Sequence, residues 1–171
     1  MSAIPGRQPT QNRVIDLLSE IASRKGYSYK QREKPKRVTR EEELQGAFRP
    51  DLVLTPAIGF NVAPKVLEVE STVNNQTVCK SVFSLLDYMT KVKGTKGFLV
   101  VPASRRAFAA DKVRAIKDIL ERLQGSSKGR KRATTMTVLT FDQVRNYHER
   151  LDRYDRQGRH GQPPKFKGFD E

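Results

Sequence analysis

The chain has 171 residues, 36% of them hydrophobic, and a formal net charge of +14. That length suits one domain with a real core, and so large a cationic surplus points to a polyanion, with nucleic acid the first candidate and an anionic membrane surface the second. The single cysteine, Cys79, excludes a disulfide framework, and with only His148 and His160 beside it a zinc site of the usual kind is excluded as well.

Residues 1–9, with Pro5, Gly6 and Pro9, read as a flexible arm. They hold no apolar signal core, and no apolar run in the chain approaches the ~20 residues of a membrane span. No basic amphipathic helix with a broad apolar face appears either, so the expected setting is cytoplasmic with no membrane partner. Thr10 is predicted to cap a helix that runs to about Lys25 and stops at Gly26, with Val14, Leu17, Leu18 and Ile21 as its apolar stripe. Asp16 and Glu20 lie one turn apart on it. Tyr27–Lys30 reads as a short strand. The run from Lys30 to Arg37 follows, and its Lys34, Lys36 and Arg37 are candidate phosphate contacts. Tyr27 and Tyr29 beside it favour nucleic acid, since aromatic and basic groups together suit bases and phosphates; a solvated loop is the other reading. Arg40–Glu43 reads as a solvated turn or short helical piece.

Phe48–Leu54 and Lys65–Ser71 each read as a short β-branched and aliphatic strand carrying acids, with Pro56, Gly59, Asn61 and Pro64 breaking the chain between them. If these strands are neighbours, Asp51, Glu68 and Glu70 can converge. Residues i and i+2 of a strand share a face, so Glu68 and Glu70 point one way and Val69 the other. Carboxylates gathered on one patch repel unless a cation sits among them, and a hard divalent cation such as Mg²⁺ prefers oxygen ligands. The competing reading has Asp51 merely opening a strand and Glu68 and Glu70 facing outward on an exposed edge. Apolar Val66, Leu67 and Val69 on both faces suit a buried strand instead, where unpaired acids are costly.

Pro50-Asp51 followed by Glu68-Val69-Glu70 resembles the metal-binding motif of the PD-(D/E)xK nuclease superfamily. The resemblance implies a restriction-endonuclease-like fold, Mg²⁺ (with Mn²⁺ as substitute) held by Asp51, Glu68 and a main-chain oxygen near Val69, and DNA as substrate. The family places a Lys two residues after the second acid; Glu70 stands there, as in a branch of type II restriction enzymes with a Glu-x-Glu arrangement. Other members carry the Lys in the next helix, which here implicates Lys80. Many relatives also bring an acid from the first helix toward the metal, and Glu20 is the candidate. The supporting context spans roughly residues 10 to 145.

Downstream, Val78, Val82, Leu85, Leu86 and Met89 recur at helical steps, predicting a helix from about Gln76 to Val92 with Lys80 off the stripe near its start, either reaching back to the acids or solvated. Gly97–Pro102 is an apolar strand. A helix from about Arg105 to Leu123 carries Ala109, Val113, Ile116, Leu120 and Leu123 on one face. The segment from Gln124 to Arg132 is a basic loop whose Lys128, Arg130, Lys131 and Arg132 are candidate DNA contacts. Met136–Thr140 is a last strand and Phe141 opens a helix to about Tyr154. Residues 155–171 read as a mobile basic tail. Strands alternating with helices predict an α/β fold in residues 10–154, a central mixed sheet flanked by helices. The expected function is a Mg²⁺-dependent DNA endonuclease acting on duplex or branched DNA, with a homodimer the expected state for double-strand cutting. A non-catalytic DNA- or RNA-binding protein on the same fold is the alternative.

Overall fold

In the computed structural model, residues 10–32, 49–123 and 136–171 are described. The candidate DNA contacts Lys34, Lys36, Arg37, Lys128, Arg130, Lys131 and Arg132 lie outside them. Helix α1 spans Gln11–Arg24; the Thr10 hydroxyl accepts from the Arg13 N–H at 3.3 Å, and Gly26 leaves the helix at φ +85°. Strand β1 (Tyr27–Gln31) follows, then β2 (Leu52–Pro56) and β3 (Lys65–Val69). Helix α2 (Asn75–Lys91) starts in a capping box in which Asn74 and Thr77 each take the other's backbone N–H. Strand β4 (Lys96–Val101), a 3₁₀ turn (Ala103–Arg105), helix α3 (Arg106–Leu123), strand β5 (Met136–Thr140) and helix α4 (Phe141–Arg156) complete the order. A second capping box, Thr140 with Gln143, opens α4 directly from β5.

The five strands lie in sequence order in one mixed sheet. β1, β2 and β3 pair antiparallel, while β3, β4 and β5 pair parallel. Each parallel step needs a crossover, and α2 and α3 supply the two. Helices cover both faces, which is why β3 is buried at every position. On one face Leu52, Leu54, Leu67, Val69, Phe98 and Val100 pack under α1 and α4. On the other, Val66, Leu99 and Val101 pack under α2 and α3. Val66 and Leu67 therefore serve opposite cores, and Glu68 is turned toward α2. Among the described residues no helix is long and apolar enough to cross a membrane.

Two expectations are corrected. The stripe predicted for α3 buries only Ala109 and Val113, and Leu123 at its end is 78% exposed. Residues 157–171 do not form a loose tail: Phe166 and Phe169 are buried at 3% and 0% exposure and join the core beneath α1 and α4. Phe166 stacks on Tyr147 at 4.5 Å and on Phe169 at 5.1 Å. Two buried phenyl rings dominate the energetics of so short a segment, and its polar composition only describes the outer face.

Candidate functional site

The site begins where the β2–β3 ladder stops. Its last pair is Leu52 with Leu67, and extending the register sets Pro50 opposite Val69. Proline's missing N–H and fixed φ suit a strand end. The Asp51 carboxylate takes up the pairing in place of backbone: its Oδ2 accepts the Val69 N–H at 2.9 Å. The Asp51 carbonyl meanwhile accepts from the Arg32 N–H at 2.9 Å, which continues the β1–β2 ladder and brings Arg32 alongside. Asp51 is 8% exposed, so its position is fixed from both neighbouring strands.

Glu68 and Glu70 lie on the same side of β3 and its continuation, both facing α2. Ser84 Oγ donates to Glu68 Oε1 at 2.5 Å and Ser81 Oγ donates to Glu70 Oε1 at 2.6 Å. The two serines, spaced i and i+3, share one helix face, and both are buried. Glu70 lies just beyond β3 and its N–H is held by the Val100 carbonyl at 2.9 Å. A polar cavity of about 200 Å³ takes in Asp51, Glu68, Glu70, Lys80, Ser81 and Ser84, with Gln11 and Arg32 at its edge. A second hollow of about 510 Å³, lined by Asp16, Gln31, Gln11, Arg32 and Asp51, adjoins it.

Electrostatics follow from this crowding. Burial, then the charge of Asp51, pushes the Glu68 carboxyl up to about 9, against the opposing pull of the Ser84 hydroxyl, and a hydrogen bond to Asp51 adds to the rise. Without metal, Glu68 therefore favours its protonated form. Glu70 is also raised, first by burial; Ser81, Lys80 and Arg32 pull it back. Lys80 is exposed at the mouth of the cavity, where its charge favours the ionised form of Glu70.

Asp51, Glu68, Glu70 and Lys80 are thus brought together. Glu20 is placed elsewhere: its carboxylate bonds His148 Nε2 at 2.5 Å, joining α1 to α4. The acid of α1 that borders the site is Asp16, which accepts from Gln31 Nε2 at 3.3 Å. Arg32, Ser81 and Ser84 escaped the sequence reading. The serines interrupt the apolar stripe of α2 at positions due to face the sheet, and a hydroxyl there is a signal that something polar lies opposite.

Among the described residues no three His, Cys, Asp or Glu side chains converge tightly enough to hold a metal ion by themselves. The donor set fits a cation that keeps part of its water shell: Asp51, Glu68 and Glu70 line one polar cavity, with oxygen donors throughout. Mg²⁺ binds in this way, through one or two carboxylates with retained waters. In comparisons with known proteins, no family model, curated protein or solved structure matches this chain.

Proposed function

We propose that the chain is a Mg²⁺-dependent DNA endonuclease with a restriction-endonuclease-like fold. The observation that carries this reading is the gathering of Asp51, Glu68 and Glu70 on one polar cavity, with Glu68 raised by burial and by the charge of Asp51. Three antiparallel strands followed by two parallel crossovers, with the acids at the start of β2 and the end of β3, support the fold assignment. The +14 balance supports a polyanionic substrate.

In this mechanism Asp51 and Glu68, with a main-chain oxygen near Val69, would hold the cation, Mg²⁺ or Mn²⁺, and Ser84 keeps the Glu68 carboxylate aimed. When bound, the cation supplies charge neutralisation at the scissile phosphate and a lowered pKa for water. Glu70, raised by burial, orients the attacking water and accepts its proton, a role favoured by a pKa nearer to neutrality. Lys80 and Arg32, at the mouth, hold the phosphate in place against the acids. One such site cuts one strand, so double-strand cleavage calls for a two-fold dimer.

The absence of a third converging side chain among the described residues favours one alternative, a binding protein on the same fold without cleavage. Incubation with supercoiled, linear and branched DNA, each with Mg²⁺ or with EDTA, separates the two. The nuclease reading expects nicking or linearisation only with the metal. Retention of DNA without cutting, in either Mg²⁺ or Mn²⁺, supports the alternative.

A further inference from the structure

At the other end of β3, on the opposite face from the acids, Lys65 is 3% exposed. Burying an ammonium is costly unless it is paired. Among the described residues Lys65 has no hydrogen-bond acceptor and no carboxylate at ion-pair distance. Ring faces surround it instead: Nζ lies 4.9 Å from the centroid of Phe169, 5.6 Å from Tyr27 and 5.7 Å from Phe98. The nearest acid, Asp170, is committed elsewhere, to Lys25 Nζ at 2.8 and 2.9 Å and to the Phe166 N–H at 2.7 Å. Lys25 and Lys96 add like charge, and burial with that charge lowers the Lys65 amine to about 8.

This under-compensated amine lines a cavity of about 840 Å³, within the range of small-molecule sites. Lys25, paired with Asp170, and Lys96, whose Nζ donates to the Glu171 carbonyl oxygen, share the lining with Asp155 and Asp170, and Tyr27, Tyr147 and Phe60 give it aromatic wall. Several ammonium groups against one hollow are best met by a multiply charged anion, and the rings by a flat apolar group. We propose that this cavity is a binding site for a planar aromatic phosphate monoester of nucleoside monophosphate size, its phosphate seated on Lys65 and Lys96 and its ring against Tyr27, Tyr147 and Phe60.

The site is independent of the acid cluster, so it can be tested with EDTA present. Calorimetric titration of the full chain with adenosine 5′-monophosphate and uridine 5′-monophosphate should show saturable binding. Adenosine and inorganic phosphate, each carrying half of the recognition, should bind more weakly by about tenfold or more, the scale of one charge-assisted hydrogen bond. Lys65→Met should lose the nucleotide by a similar factor, and Asp51→Ala should leave its binding unchanged. Lys96→Ala provides a second reading should Lys65→Met not fold, and weakened binding there supports the site. No saturable binding of either nucleotide, or equal affinity in the lysine variants, would overturn the proposal.

Discussion

Strand β3 carries two buried ionisable groups, the amine Lys65 at one end and the acid Glu68 near the other, turned to opposite faces of the sheet. Their neighbourhoods differ in kind. Glu68 has the charge of Asp51 beside it and the Ser84 hydroxyl donating to it, and burial with that charge favours its protonated form. Lys65 has rings around it and lysines beside it, so its charge is softened by ring faces, with no carboxylate at ion-pair distance among the described residues. Both groups are shifted toward their neutral forms, Glu68 by burial and a neighbouring carboxylate, Lys65 by burial and neighbouring lysines.

Removing the acids gives the largest effect. Asp51→Ala and Glu68→Ala should each abolish metal-dependent cleavage while leaving metal-free DNA retention intact, or tighter in Asp51→Ala, because that change deletes a negative charge beside the phosphate. Gel-shift and plasmid-nicking assays on the same preparations check both halves; cleavage that survives Asp51→Ala would place the active centre elsewhere. Glu70→Ala should slow cleavage on the order of 10²-fold, the scale for losing a general base. Lys80→Ala should match it only if the exposed Lys80 is essential to the phosphate, and single-turnover rates rank the two.

A smaller effect is expected behind the acids. Ser84→Ala removes a donor to the Glu68 carboxylate, with about a tenfold loss of rate, the scale of a hydrogen bond to a charged group. Since that hydroxyl holds the Glu68 pKa down, its loss should also move the acid flank of metal binding to higher pH. A change in rate with no shift in the pH profile would make Ser84 a packing residue.

The smallest effect, and the sharpest contrast between the two ends of β3, is in stability against pH. Folded Glu68 keeps its proton to about 9, whereas the unfolded chain releases it near 4.5. The folded state therefore binds more protons in that window, and metal-free stability should fall as pH rises through it. Lys65 acts in the reverse direction. Lowered from 10.5 to about 8, it leaves the folded state with fewer protons between those values, and stability should rise with pH there. Urea titrations across pH should show the first slope flattened by Glu68→Gln and the second by Lys65→Met.

Local signals made most of the framework legible. Thr10 and Gly26 bracket α1 by capping chemistry alone, and the aliphatic run at Met136–Thr140 marks β5 at its observed bounds. The convergence of Glu68 and Glu70 follows from the two-residue period of a strand. What stayed hidden depends on contacts between distant segments. Ser81 and Ser84 look like small packing residues until an acid is known to lie opposite. Glu20 looks as eligible as Asp16 until the helix rotation that gives it to His148 is fixed. Phe166 and Phe169 are isolated rings in a polar segment with no period to announce a buried face, and Lys65 at a strand start gives no hint of the rings that enclose it.

If Asp51 and Glu68 are the seat of a divalent cation, the cation must displace the proton that burial and the Asp51 charge favour on Glu68. Calorimetric titration of the full chain with Mg²⁺ at neutral pH, in two buffers of different ionisation enthalpy, tests it directly. Binding should release about one proton per cation, because the ligands must be deprotonated to bind. In Glu68→Gln the released proton should vanish along with most of the affinity. Absence of Mg²⁺ binding by the wild type, or binding with no proton released, would contradict the account.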